Sequence, residues 1–475
     1  MSQIRKRWAG ATASLLLAGG LLGGGAAFAA APIEPAPVVA SSGSGAAATT
    51  TAAAEAAPPP PALLGHQAAL ELDAAGTSWL GVSTALVLLM TLPGLALFYG
   101  GMVRRKNVIA TITQSVGVFA VVSLVWFIAG YSIAFGANGV EALQPYVGNL
   151  DMLFLNGVSL QTANSLLPGI PEFLFISFQM TFAIITPALV TGAFAERMKY
   201  SGLLLFTGLW SLFIYAPICH WVWGGGFLGG AGVLDFAGGA VVHVNSGVAG
   251  LVCALFLGRR RGYGIDPINP HNPVLTMIGA SLLLVGWIGF NAGSAGAANE
   301  LMGVALLNTV LAAAAGALTW KLVEVIEKKK VSLIGMLSGV VAGLVAITPA
   351  AGFVDPKGAV IIGLIAGPVC YAASVWIKKL LRYDDSLDAF GIHGAGGLVG
   401  ALLTGVFATT AINSLSEGAN IGAQALGLAW TIAYSALGTL VILVICKFTT
   451  GLRVSEEEEA AGLDTSLHGE ALEAI

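Results

Sequence analysis

From Trp79 onward, long apolar stretches alternate with short polar breaks, and this alternation constrains the chain more than any other feature. Eleven runs are legible, at about 80–100, 109–135, 172–195, 201–223, 240–257, 274–293, 301–320, 333–351, 358–377, 389–410 and 424–450. Each can cross a hydrocarbon core, which takes about 20 helical residues. In lipid the backbone must satisfy its own hydrogen bonds, so such runs are helices. The expected fold is an all-α membrane protein with eleven transmembrane helices. Composition agrees: 56% of the 475 residues are hydrophobic and only 10% charged, against roughly 25% charged in a soluble domain. That excludes a cytosolic enzyme, a nucleic-acid binder and a disordered scaffold. A net charge of −4 supplies no global basic field. The 64 glycines suit helices packed closely in lipid. Cys219, Cys253, Cys370 and Cys446 lie singly in apolar runs. They read as small core residues, not as a disulfide framework or metal site.

The first 29 residues read as a secretory signal. Arg5, Lys6 and Arg7 precede the apolar stretch Ala9–Gly25, and Ala27-Phe28-Ala29 offers small residues for cleavage. A retained first span is the other reading, although the run is short and rich in glycine. Residues 30–77 then form an Ala/Pro/Thr-rich extracytoplasmic extension with Pro58–Pro61 consecutive, flexible and without a core-forming pattern. The membrane domain follows at 78–451 and a cytoplasmic tail at 452–475. Lys and Arg set the orientation. With the mature N-terminus outside, the inner loops hold Arg104, Arg105, Lys106, Arg197, Lys199, Arg259, Arg260, Arg261, Lys321, Lys328, Lys329, Lys330, Lys378, Lys379 and Arg382, joined by Lys447 and Arg453. The outer loops hold Lys357. Seventeen against one puts the N-terminus out and the C-terminus in.

The fifth run carries His243-x-x-x-Gly247-x-x-Gly250 and the tenth His393-x-x-x-Gly397-x-x-Gly400. Five runs separate them, an odd number, so the two segments point opposite ways across the membrane. That is the pattern of two inverted five-helix repeats with a substrate path between them, and an eleventh helix outside the repeat. A histidine inside a span is a functional candidate by default, although a lone one can simply bond a carbonyl. His243 and His393 at equivalent positions can share one proton, one ring donating and the other accepting. Such a pair favours a small polar solute over a bound cation. His220 lies near the outer end of run four. No Asp, Glu or Cys has the spacing to complete a metal site.

Phe178 and Phe182 are four residues apart and share a helix face. Trp223 closes run four, and Phe290 and Ser294 lie at the outer end of run six. Trp223, Phe178 and Ser294 can hold a small cation by cation–π attraction, while Trp223 also fits an interfacial belt. Asp235 is placed to cap the fifth helix, as a structural carboxylate or as a participant in proton removal. Asp384, Asp385 and Asp388 read as caps of run ten paired with Lys378, Lys379 and Arg382. Glu456–Glu459 read as a solvated acidic face in preference to a docking patch.

Together these segments resemble the ammonium transporter family (Amt/Mep/Rh), specifically its bacterial Amt branch. The resemblance rests on Pro93-Gly94-Leu95-Ala96-Leu97-Phe98-Tyr99-Gly100-Gly101, Gly192-Ala193-Phe194-Ala195-Glu196-Arg197, Trp223-Gly224-Gly225-Gly226, Asp235-Phe236-Ala237-Gly238-Gly239 through His243-Val244-Asn245, Gly289-Phe290-Asn291-Ala292-Gly293-Ser294, and Phe390-Gly391-Ile392-His393-Gly394. It spans about residues 78–470. It implies a homotrimer in a bacterial inner membrane, with one pore per protomer. By that resemblance NH4+ would be recruited at Phe178, Trp223 and Ser294, Phe182 and Phe290 would form a gate, and His243 and His393 would line a pore for NH3. Asp235 matches the family's acid needed for conduction. The tail, Gly451-Leu452-Arg453-Val454, an acidic stretch, Gly462-Leu463-Asp464 and His468-Gly469-Glu470, implies regulation by a PII-type signal protein. The resemblance implies no cofactor, and the partners are the NH4+/NH3 substrate, that protein and membrane lipid. An ammonium sensor on the same fold is the rival reading. Sensors usually append a signalling domain, and about two dozen residues follow Leu452. An intramembrane hydrolase would need a nucleophile with its base, or H-E-x-x-H, and neither pattern occurs.

Overall fold

The computed structural model describes residues 66–472. The expected signal at 1–29 and the stretch 30–65 lie outside them. Among the described residues, ten helical segments are long and apolar enough to cross a membrane. These are α1 (Ala74–Met102), α2 (Arg105–Phe135), α3 (Glu172–Phe194), α4 (Tyr200–Gly230), α5 (Gly239–Leu257), α6 (Pro273–Ala292) and α7 (Glu300–Lys328), and, beyond a shorter helix α8, α9 (Pro356–Leu381), α10 (Phe390–Phe407) and α11 (Ile421–Thr449). The run read at 333–351 forms α8 (Leu333–Ile347), 15 residues long, followed by turns at 348–353. Pro349 explains the early stop, because it lacks the N–H that would bond the Val345 carbonyl and continue the helix.

Helix α5 is the centre of the bundle, with 78% of its apolar window buried, whereas α11, at 33%, lies at the rim. Leu437, Val441 and Phe448 of α11 are exposed, as side chains meant for lipid or another chain are. Several helices widen locally into π-helical turns, including Gly239–Val244 in α5, Ile288–Ala292 in α6 and Phe390–Gly394 in α10. His243, Phe290 and His393 all stand on such turns, the kind of helix defect that recurs at functional sites.

The sequence reading ended the extension at residue 77, but order begins earlier. β1 (Gln67–Ala69) pairs antiparallel with β2 (Thr162–Asn164) of the long α2–α3 connection. The Gln67 amide donates to the buried Glu172 carboxylate at 2.8 Å, which also accepts from the Tyr131 hydroxyl at 2.9 Å. Asp73 caps α1, accepting from the N–H groups of Ala75 and Gly76. No apolar run marks this segment; a polar clasp to a distant loop orders it.

At one end of the bundle, called here the basic face, the short connections meet in a buried ion network. Arg104 pairs with Glu196 at 2.7 Å, Arg260 with Glu196 at 3.4 Å, and Arg260 with Asp384 at 2.8 Å. Arg197 is fully buried and donates to the carbonyls of Ala193 and Asp384 and to the Ser386 hydroxyl. The expected pairing of Asp384 with Lys378, Lys379 or Arg382 is therefore replaced by one with Arg260, brought in by the α5–α6 connection. Lys378 takes Asp388, and Asp385 caps α10 through the N–H groups of Ala389 and Phe390.

The tail packs against this face. Lys199 N–H donates to the Leu452 carbonyl and Val454 N–H to that of Arg197. The Asp464 carboxylate accepts from Ala110 N–H at 2.8 Å. The tail's two short helices are α12 (Glu456–Ala461) and α13 (Leu463–His468). The solvated reading of Glu456–Glu459 fails at one residue: Glu459 is buried, pairs with Arg453 at 2.8 Å and accepts from Arg261 N–H at 2.6 Å. Glu456 and Glu457 remain exposed.

Burial alone would raise the Glu196 and Asp384 carboxyls, but Arg260, with Arg104 at Glu196, outweighs it and holds both below the ordinary range. Their contribution to stability is therefore complete above the unfolded-state value near pH ~4 and is lost as pH falls through the lower folded value. Glu196→Ala, which leaves Arg104 without its anion and Arg260 with Asp384 alone, is expected to destabilise by about 3 kcal/mol. Thermal unfolding in detergent checks this, and Glu196→Gln should flatten the loss of stability on acidification below pH ~4.

Candidate functional site

Two glycines let α5 and α10 cross closely. A methyl group on Gly247 would sit 2.2 Å from the backbone nitrogen of Gly394, and one on Gly397 would sit 3.0 Å from the Gly239 carbonyl. At this crossing the Nδ1 atoms of His243 and His393 stand 3.3 Å apart, with ring centroids at 5.3 Å and planes 23° apart. One Nδ1 must carry the hydrogen and the other accept it. His243 also stacks on Trp287 at 5.3 Å, and its Nε2 is buried without a partner. Each histidine lies eight residues after an aspartate that caps its helix, Asp235 before His243 and Asp385 before His393. This repeated spacing was present in the sequence, where Asp385 looked like one of three clustered acids.

The histidines line a slot of about 10 Å³, walled otherwise by apolar and aromatic side chains such as Phe98, Ile185, Leu189 and Trp287. No formally charged side chain lines it. One end is closed by Phe290, which stacks on Phe182 at 4.2 Å and 21°. Beyond that stack, away from the basic face, opens a cavity of about 510 Å³. Phe178, Phe182, Trp223, Asp235 and Ser294 all line it. At the other end, Ile392, next to His393, lines a third cavity of about 330 Å³ on the basic face with Arg260, Lys378, Ser386 and Asp388. The three voids lie in series through the bundle.

The polar groups of the large cavity are mostly committed to the wall. Asp235 is buried and accepts four backbone N–H groups, from Gly238, Gly239, Ala240 and Val241, at 2.5–3.1 Å. Burial pushes its carboxyl upward and those four bonds pull it down, with a net rise. Its own carbonyl accepts from Trp223 Nε1 at 2.8 Å, so the cap of α5 also fixes the indole. The Ser294 hydroxyl donates to the Phe290 carbonyl at 2.8 Å. Phe178 meets Phe182 edge-on at 5.0 Å, and Phe182 meets Trp223 at 6.0 Å. The arrangement offers aromatic faces and neutral oxygens to a small cation at the mouth, then a narrow uncharged passage. His220, by contrast, is tied to the carbonyls of Ala134 and Gln144 and reaches neither void. Sequence reasoning missed Trp287 and Gln179. The signal for Gln179 was its place between Phe178 and Phe182 on one helix.

A sequence model of the Ammonium Transporter Family matches residues 78–472. An ammonium transporter of Aquifex aeolicus is 48% identical over 405 residues, covering 84% of this chain and 93% of the relative. The crystal structure of Saccharomyces cerevisiae Mep2 superimposes with a TM-score of 0.75 at 35% identity, covering 82% of this chain and 89% of that one. A structure titled Sensor Amt Protein gives a TM-score of 0.76 at 31% identity, covering 83% and 98%.

Asp235→Ala is expected to orphan four N–H donors at the start of α5 and to lower stability by at least ~2 kcal/mol. Asp235→Asn, which keeps an acceptor, should cost less. Thermal unfolding of the two purified variants in detergent makes the comparison.

Proposed function

We infer the activity from one premise: the chain belongs to the ammonium transporter family. We propose that it recruits NH4+ at Phe178, Trp223 and Ser294, and that the ion gives up a proton near the Phe182–Phe290 gate. The proton goes first to water in the outer cavity; NH3 then passes along His243 and His393 to the cytoplasm, and the proton crosses separately, so that one charge is transferred with each NH3. The observation that carries this reading is the slot: it holds two mutually bonded histidines and no formal charge. A bare cation pays a large desolvation penalty there, whereas NH3 does not. K+ is similar in size but cannot lose a proton, so recruitment by aromatic faces followed by deprotonation selects against it. Phe182 and Phe290 fill the space between cavity and slot and must part for passage.

The biased distribution of Lys and Arg supports a bacterial inner-membrane location with the mature N-terminus outside and the basic face in the cytoplasm. A signal at 1–29 fits that orientation. The docked tail supports regulation by a PII-type protein, since a partner that shifts Arg453 and Glu459 also shifts the connection bearing Arg260 and Arg261. The exposed apolar sides suit lipid and the homotrimer that the resemblance implies. A second reading, an ammonium sensor, is favoured by the likeness to the structure titled Sensor Amt Protein. Ammonium binding without ammonium-driven current would support it.

Reconstituted in liposomes, the protein is expected to give inward current with ammonium and little with K+. Equal currents would sink the selectivity argument. Replacing His243 and His393 together with alanine should alter selectivity or electrogenicity while leaving the assembly seen by size-exclusion chromatography unchanged.

A further inference from the structure

One side chain that lines the large cavity carries an acceptor that the wall leaves unused. The cavity's other polar side chains are engaged. Asp235 accepts four N–H groups, Trp223 Nε1 donates to the Asp235 carbonyl, and Ser294 donates to the Phe290 carbonyl. Asn413 donates to the Gly352 carbonyl and accepts from Leu415 N–H. Gln179 differs. Its side chain lines the same cavity, and its amide oxygen Oε1 is out of reach of solvent with no hydrogen-bond partner. It follows Phe178 directly and precedes Phe182 by three residues, so it shares the helix surface that carries both rings.

An amide oxygen buried without a donor is unfavourable, and the state that supplies a donor is favoured by that amount. A dehydrated ammonium ion has the opposite need. Aromatic faces compensate its charge but present no lone pairs along its four N–H directions. The Ser294 oxygen, its proton committed to Phe290, offers lone pairs on the α6 side of the cavity. Gln179 lines the cavity from α3, and a half-turn of its amide about the last bond exchanges Oε1 with the amide nitrogen, leaving the oxygen free to turn toward an ion there. The two oxygens with the rings then complete the shell that water leaves.

We propose that Oε1 of Gln179 accepts a hydrogen bond from ammonium in this cavity and sets the affinity of the recruitment step. The proposal rests on the ammonium-transport reading above and adds to it a residue and an atom. It also assigns the contact to the uptake side of the gate, so it governs half-saturation and leaves the rate past the histidines unchanged.

The test uses the full chain in liposomes, with ammonium chloride as probe and KCl as competitor, and compares wild type, Gln179→Met and Gln179→Glu. Gln179→Met keeps the length and loses the acceptor. It should raise the half-saturating ammonium concentration roughly tenfold, as expected for one hydrogen bond to a charged group, with the maximal current retained. Gln179→Glu keeps an acceptor and adds charge, so its half-saturation should stay at or below the wild-type value, while K+ becomes a better competitor. An unchanged half-saturation in Gln179→Met overturns the proposal, as does a fall in maximal current alone. If Gln179→Met does not insert, Gln179→Glu decides: wild-type half-saturation with wild-type K+ competition overturns it. A wild-type protein without ammonium current overturns the transport reading itself, an outcome distinct from a wild type that conducts and a Gln179 series that does not differ.

Discussion

The crossing of α5 and α10 is the contact on which the rest of the site depends. Where Gly247 faces Gly394, the absence of a side chain lets two backbones approach within a distance no other residue permits. Only at that separation do His243 and His393 meet nitrogen to nitrogen. The wide turns beneath them matter for the same reason. A π-helical turn leaves part of the ladder relaxed and rotates the following side chains, so His243 and His393 point into the seam. Each turn is then held by an aspartate eight residues before its histidine. The result is a passage whose polarity is confined to two rings that bond each other through Nδ1 and leave His243 Nε2 free for a solute.

Charge is distributed so as to protect that passage. The formal charges of the site lie at its ends. Arg260, Lys378 and Asp388 line the cavity of the basic face, and Asp235 lies behind four N–H groups at the other mouth. The buried network of Arg104, Glu196, Arg260 and Asp384 ties four connections together, and Arg197 donates to neutral oxygens of two of the same segments. Arg260 bridges the two anions, so removing either one weakens the pairing of the whole network. The tail engages this platform through Arg453 and Glu459. It therefore has a direct connection, through Arg261 N–H, to the segment whose Arg260 lines the cavity of the basic face.

Much of the candidate site was legible because it is written locally. Phe178 and Phe182 share a face by helical periodicity, and the two histidine motifs repeat with the same spacing. Asp235 sits where an N-cap belongs, just before an apolar run. The misreadings have one character. Asp384 was assigned to basic residues a few positions away, whereas its partner Arg260 is 124 residues distant. Glu459 sat in a row of four acids that looked uniform, yet it alone enters a pocket formed by Arg453 and the Arg261 backbone, the latter 198 residues away. Gln67 and its short strand carried no apolar signal at all, because a single amide bonded to Glu172 and a few ladder bonds hold them.

The sequence by itself determined that the chain is helical and lipid-facing, which end of the bundle collects the basic residues, and which residue types stand at each depth. Those properties follow from hydrophobicity and period, which depend on neighbours within a turn or two. Only the tertiary structure decided which acid meets which arginine, that Phe182 and Phe290 stack between a large cavity and a narrow slot, and that Gln179, which lines that cavity, keeps an unpartnered oxygen. Such matters depend on the angle and distance at which helices cross. Those are set by packing across hundreds of residues, of which a linear pattern carries no record.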